Sequence, residues 1–207
     1  MTKYDDRPPA AVGFRAHSGW AAVVVVSGKL ASPLVVDRRR IEIADPRIPG
    51  SKQPFHAAEG LPFKEAHRLI QRCTDSTDSL ADRALRALVG DLEEKCYRVV
   101  GCGLLLASGR ALPDLAAILA SHALIHSAEG EMFREALVRA SERCGLAVTK
   151  VRERELFETA AATLGTAADT IQRRLAELGR PLGPPWTQDQ KLAALAGLLA
   201  LTSSPGQ

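Results

Sequence analysis

The sequence predicts an α/β fold in which helices pack on both faces of a mixed five-stranded sheet. Three short apolar runs rich in β-branched residues lie near the N-terminus, at 11–14, 20–26 and 34–43. Two further apolar runs, at 99–107 and 146–151, alternate with segments whose apolar residues recur at helical spacing. This order is typical of a sheet covered by helices. We expect a meander of three strands followed by two parallel strands.

Length and composition predict one domain. A chain of 207 residues, 46% hydrophobic and 25% charged, suits a single globular domain over 1–207. We expect frayed ends at 1–10 and 203–207 and a loop insertion rich in proline and glycine at 45–62. The chain contains no run of about 20 apolar residues, and its polar start does not resemble a signal peptide. These features predict a cytoplasmic protein without a membrane partner.

Turn and capping residues divide the chain into elements. The segment 13–19 is predicted to turn between the first two strands. One kinked helix or two consecutive helices are predicted over 63–92, and one long helix over 113–144. Shorter helices are predicted at 156–164, between Thr166 and Gly179, and at 188–201. Capping boxes are predicted for Thr166 with Asp169 and for Thr187 with Gln190.

Several motifs in the second half of the chain carry a family resemblance. Their order and spacing are similar to those of the ribonuclease H-like fold, in particular of RuvC-type Holliday-junction resolvases, and the resemblance covers most of the chain. It implies a two-magnesium nuclease site with an Asp at the end of strand one, a Glu on strand four and one or two acids on the last helix. The motifs are Ala128-Glu129-Gly130, Gly145, Leu156-Phe157-Glu158-Thr159, Leu164-Gly165-Thr166-Ala167 and Lys191-Leu192-Ala193-Ala194-Leu195-Ala196.

The carboxylates of that site are missing from the predicted strands. No Asp or Glu occurs at 7–36 or at 95–113. Arg15 stands about where the first Asp belongs, and Lys191 stands near the final acid, which leaves Asp189 as the sole carboxylate nearby. Two metal ions about 4 Å apart need several oxygen ligands. We therefore expect a non-catalytic RuvC-like domain that binds no cofactor and acts as a binding or scaffold module, with a homodimer through a helical face as one form.

A candidate polar cluster comprises Arg15, His17, Glu129 and Asp189. Arg15 and His17 fall in the predicted first turn, close to the face where a substrate of the family would bind. An arginine there can hold a phosphate or carboxylate. The alternative is that Arg15 pairs with Asp189 or Glu129 and replaces the metal charge with a salt bridge.

Three ionisable residues share one face of the predicted long helix. His122, His126 and Glu129 fall within about 60° of one another. Histidines at i and i+4 can bind one transition metal, with Glu129 as third ligand or general base, which would make the protein a metal-dependent hydrolase. Alternatively, the histidines are neutral and hydrogen-bonded to buried backbone, or the helix breaks near 127–130.

The most basic segment surrounds the third strand. Phosphate contacts need such charges, but charges on an exposed edge strand also prevent pairing with other chains. The net charge of +3 is too near balance to indicate nucleic-acid binding, and no interleaved aromatics suggest base stacking. The candidate nucleic-acid contacts are Arg38, Arg39, Arg40, Arg47 and Lys52.

Overall fold

The computed structural model describes residues 6–29, 32–107 and 111–203. One five-stranded sheet runs through this part of the chain, in the order β3-β2-β1-β4-β5. The first three strands are antiparallel neighbours, whereas β4 is parallel to β1 and β5 is parallel to β4. This is the predicted meander followed by two parallel strands. The strands are β1 (Pro9–His17), β2 (Trp20–Lys29), β3 (Ser32–Glu42), β4 (Arg98–Leu106) and β5 (Val148–Arg152).

Helices cover both faces of this sheet, as predicted. Side chains alternate between the two faces of a strand, so Val23 and Val25 of β2 join the core beneath one helical layer and Val24 and Val26 join the other. The first layer contains α1 (Pro54–Ala58), α2 (Phe63–Glu94), α3 (Leu115–Leu119) and α4 (His122–Arg143). The second contains α5 (Leu156–Leu164), α6 (Ala168–Leu178) and α7 (Gln188–Thr202).

Helix α7 packs with its backbone directly against the centre of the sheet. A Cβ atom on Gly13 of β1 would lie 1.8 Å from the carbonyl oxygen of Ala193, and one on Gly103 of β4 would lie 2.0 Å from that of Ala196. The two strands therefore need glycine so that the helix can approach. Every residue from 192 to 201 is buried.

The predicted hairpin is present, but the turn at 13–19 is confined to Ser18 and Gly19, because Gly13 serves this close approach rather than a turn. Strand β1 continues to His17, and the chain reverses at Gly19, whose φ of 84° favours glycine. Arg15 and His17 consequently lie on β1 itself. The predicted fraying of residues 9 and 10 is wrong, since β1 begins at Pro9 and Ala10 is fully buried. Residues 1–5 and 204–207 lie outside the described part.

Of the two alternatives predicted for 63–92, the structure shows the single helix, since α2 runs over 32 residues without a break. The helices differ from the predictions at two places. The predicted helix over 113–144 is broken at Ser121, whose backbone is extended, and not at 127–130. The apolar spacing continues across this break, so periodicity does not reveal it. The predicted loop at 45–62 contains α1, which begins with Pro54 in its first turn, where the missing N–H costs nothing.

The two predicted capping boxes have different outcomes. Thr187 and Gln190 form theirs at the start of α7. Thr166 does not cap α6, because that helix begins after Ala167 and the Thr166 hydroxyl instead donates to the carbonyl of Leu164. Among the described residues, no helix is both long and apolar enough to cross a membrane.

The packing of α7 makes a prediction for stability. We expect Gly13→Ala to destabilise the fold by about 3 kcal/mol or more. The added methyl would overlap the backbone carbonyl of Ala193, which can move away only if helix α7 shifts with it. Thermal unfolding would then show a loss in Tm of roughly 6 °C or more.

Gly90→Ala is the matched control. Gly90 lies in α2 with open space around its Cβ position, so alanine should stabilise the protein by about 0.5–1 kcal/mol. Equal Tm values for Gly13→Ala and the parent protein would contradict the close approach of α7.

Candidate functional site

The guanidinium of Arg15 bridges two carboxylates at the C-terminal edge of the parallel strands. Its Nε and Nη2 donate to Glu153 at 3.2 and 2.9 Å, and its Nη1 donates to Asp189. Arg15 lies near the end of β1, Glu153 directly follows β5, and Asp189 lies in the first turn of α7. The Arg15 and Asp189 side chains are only 22% and 25% exposed. The cluster is therefore a partly buried ion-pair network assembled from three elements.

His17 connects this network to a stack of side chains. Its Nε2 lies 3.4 Å from Nη1 of Arg15 and 3.3 Å from Oδ1 of Asp189. The imidazole stacks on the ring of Trp20, with the two ring centroids 4.2 Å apart. The guanidinium of Arg40 also lies over the Trp20 ring, 3.9 Å from its centroid. Burial, and then the positive charge of Arg15, hold the pKa of His17 below its usual value, although Glu153 acts in the opposite direction. His17 is therefore neutral at neutral pH.

The structure brings together three of the four residues of the predicted polar cluster. Arg15, His17 and Asp189 are in contact, whereas Glu129 lies on α4, in the helical layer on the other face of the sheet. Glu153 was not predicted. It lies 138 positions from Arg15, and its own neighbourhood in sequence gives no sign of a partner on β1.

Three arginines of the basic segment on β3 have partners within the chain. Arg38 donates to the backbone carbonyls of Leu182, Gly183 and Pro185 at 2.5–3.0 Å, and so ties β3 to the connection before α7. Arg39 pairs with Asp37 and Asp91, and the hydrogen bonds with Asp37 raise the pKa of the arginine. Arg40 pairs with Glu42.

The other two basic residues are exposed. Arg47 pairs with Asp45, and its hydrogen bonds lower the pKa of that carboxyl to about 2. The Arg47 side chain is nevertheless 85% exposed. Lys52 is exposed beside the turn at Gly19. Arg40 is exposed as well, at 51% of its side chain, so Arg40, Arg47 and Lys52 are the predicted contacts that a nucleic acid can reach.

A second cluster consists of histidines. His56 of α1 and His122 and His126 of α4 each place one ring nitrogen within 4.8 Å of the others. The Nε2 atoms of His122 and His126 are 3.2 Å apart. His56 was not predicted, because it lies in the segment expected to be a loop.

Glu129 lies behind His56. Its Oε2 is 2.9 Å from Nδ1 of His56, without the alignment of a hydrogen bond, and its Oε1 accepts the backbone N–H of His56 at 3.1 Å. The structure therefore does not place Glu129 beside His122 and His126. The structure does not show the alternative in which those two histidines are hydrogen-bonded to buried backbone, since both are exposed near the start of α4 and their Nε2 atoms lie 3.2 Å apart.

Comparison with known proteins identifies the fold. No protein family and no curated protein matches the sequence. A structure of Thermus thermophilus RuvC matches with a TM-score of 0.53 and 11% identity, over 93% of this chain and 92% of that chain. A structure of T. thermophilus RuvC in complex with Holliday junction substrate matches with a TM-score of 0.52 and 10% identity, over 93% and 90%.

The chain has the ribonuclease H-like fold of the RuvC type. At this level of identity the similarity establishes the fold alone. In this RuvC-type domain neither β1 nor β4 carries an Asp or Glu, and a guanidinium lies at the end of β1.

The lowered pKa of His17 predicts part of the acid sensitivity of the protein. In the unfolded chain His17 is protonated near its ordinary pKa of 6.5, whereas in the folded protein it takes up this proton only at lower pH. Stability therefore falls as pH drops through 6.5. We expect the loss in Tm between pH 7.5 and 5.5 to be smaller by about 1–3 °C in His17→Asn than in the parent protein.

His67→Asn is the control for that measurement, since His67 is exposed on α2. It should leave the pH dependence of Tm unchanged. If Tm falls between pH 7.5 and 5.5 by as much in His17→Asn as in the parent protein, His17 does not contribute to the acid sensitivity.

Proposed function

We propose that this chain is a non-catalytic RuvC-type domain that acts as a binding or scaffold module. The observation that supports this function is the Arg15 guanidinium between Asp189 and Glu153. Arginine stays charged at all physiological pH values. The two carboxylates are thus satisfied by a cation that belongs to the protein.

The charge balance disfavours a divalent ion at this position. Mg²⁺ requires oxygen ligands in near-octahedral geometry, and β1 and β4 supply no carboxylate. An ion approaching Asp189 would also meet the positive charge of Arg15 within contact distance of the same oxygens. To bind, it would have to displace a side chain that is held by at least three hydrogen bonds.

Replacing Arg15 tests this proposal. We expect Arg15→Asp to lower Tm in EDTA, since three carboxylates then repel one another, and millimolar MgCl₂ to restore part of the loss through binding to the folded state. Arg15→Gln should lose stability without recovering in MgCl₂, because it removes the cation and adds no ligand. The Tm of the parent protein should change by less than about 1 °C on addition of MgCl₂.

Cleavage assays supply the outcome that would overturn the proposal. The parent protein should leave four-way-junction, single-stranded and RNA–DNA duplex substrates intact in Mg²⁺ or Mn²⁺. Metal-dependent cleavage that disappears in Asp189→Asn would establish catalysis, and cleavage that persists in this variant would identify a contaminating nuclease.

Nucleic acid is the ligand class that we propose for the module. The RuvC structure with a Holliday junction substrate and the exposed Arg47 and Lys52 support it. Because four of the five predicted contacts already have partners in the chain, we expect non-specific DNA binding with a Kd of about 10⁻⁴–10⁻⁶ M at physiological salt, and this binding should weaken as salt rises. The double variant Arg47→Ala/Lys52→Ala should weaken it by about threefold or more in fluorescence anisotropy.

A second double variant with the same change in net charge controls for non-local effects. Lys64 and Arg68 are exposed at the start of α2, and Lys64→Ala/Arg68→Ala should leave the affinity nearly unchanged. Equal weakening in both variants would show that net charge, and not the surface around Arg47, governs binding.

The homodimer remains part of the same proposal. Leu61 and Phe63, 40% and 56% exposed, provide apolar surface at the start of α2. Light scattering over a range of protein concentrations tests the dimer, since a molar mass near twice that of the chain supports it and the mass of a single chain at all concentrations contradicts it.

A further inference from the structure

The histidine cluster joins two elements that are distant in sequence. His56 belongs to the one-and-a-half-turn helix between β3 and α2, while His122 and His126 occupy the first two turns of α4. The three rings approach one another with centroids 4.5–5.2 Å apart. This cluster lies with the helices on the opposite face of the sheet from α7 and is separate from the Arg15 network.

The spacing of the ring nitrogens matches that around a tetrahedral metal ion. Zinc bonds to imidazole nitrogen at about 2.0–2.1 Å, which in tetrahedral geometry places two ligand nitrogens about 3.3 Å apart. The Nε2 atoms of His122 and His126 are 3.2 Å apart. The group of three nitrogens spans up to 4.8 Å, so the side chains must draw together by about 1.5 Å to close around an ion.

Glu129 supplies the support that metal-bound histidines usually have. Its side chain is 3% exposed, and its Oε2 lies 2.9 Å from Nδ1 of His56. A carboxylate at one ring nitrogen orients the imidazole and makes the other nitrogen a better ligand, as in carboxylate–histidine–zinc arrangements. Because Nδ1 lies 2.9 Å from the carboxylate of Glu129, Nε2 is the atom of His56 that we assign to an ion.

The fourth coordination position faces solvent. His122 is 65% exposed, and Glu59 places its Oε2 4.0 Å from Nδ1 of that histidine. Three imidazoles with a fourth position open to water or a carboxylate are a ligand set that suits Zn²⁺.

We propose that His56, His122 and His126 bind one divalent transition-metal ion of the Zn²⁺ type, oriented by Glu129. The ion fastens α1 to α4 and so holds the connection between β3 and α2 against the helical layer. This site is independent of the RuvC-type function proposed above, since it shares no residue with the Arg15 network. Glu129 acts through His56 as a positioning residue and does not contact the ion.

Metal titration of the full chain tests the proposal. After treatment with EDTA and removal of the chelator, we expect isothermal titration calorimetry with ZnCl₂ to give one ion per chain, and Tm to rise with free Zn²⁺. Replacing Zn²⁺ with Co²⁺ should produce the visible absorption of a tetrahedral site. His122→Ala removes an exposed ligand without disturbing the core and should weaken binding by more than about 100-fold.

His67→Ala is the matched control, because it removes an exposed histidine from α2 outside the cluster. It should keep both stoichiometry and affinity. Glu129→Gln, which preserves shape, should keep the stoichiometry and lower the affinity by about 10- to 100-fold.

Two results would overturn the proposal. One is a parent protein that binds less than half an equivalent of Zn²⁺ or Co²⁺. The other is binding that survives His122→Ala, or that falls equally in His122→Ala and His67→Ala, since either would place the ion elsewhere.

Discussion

The contact of the α7 backbone with β1 and β4 determines the geometry on which the rest of the structure depends. Gly13 and Gly103 leave no side chain between the central strands and the carbonyls of Ala193 and Ala196. The helix is consequently buried along most of its length and forms the centre of one core. Because its position relative to β1 is fixed, its first turn must lie beside the end of that strand. The meeting of Asp189 with Arg15 follows from this packing.

The same packing sets the electrostatics at the edge of the sheet. Asp189 lies at the N-terminal end of α7, where the helix dipole favours a negative charge, and it receives a hydrogen bond from Arg15. Glu153 contacts the opposite side of the guanidinium. Any external cation must compete with one that is covalently attached and already oriented. Burial, and then this positive charge, lower the pKa of the neighbouring His17 imidazole, so the network does not accumulate a second cation at neutral pH.

The sequence predicts the sheet and most helices because their signals are local. Apolar runs of β-branched residues identify the strands, and the capping box of Thr187 marks the start of α7 within four residues. The site depends on contacts that no local pattern contains. Arg15 and Glu153 are 138 positions apart, and His56 and Glu129 are 73 apart. Gly13 is misassigned for a related reason, since a glycine required by a distant helix has the same local appearance as one in a turn.

Glu129 distinguishes the histidine cluster from a chance grouping of surface residues. Burying a carboxylate costs several kcal/mol unless a positive partner and hydrogen bonds offset the lost hydration. The partner that the fold provides is an imidazole, which carries positive charge only when it is protonated or polarised by a bound cation. A metal ion on the far side of the ring would polarise the same imidazole and strengthen it as a donor, so the proposed ion is one source of the positive character that offsets the burial of Glu129.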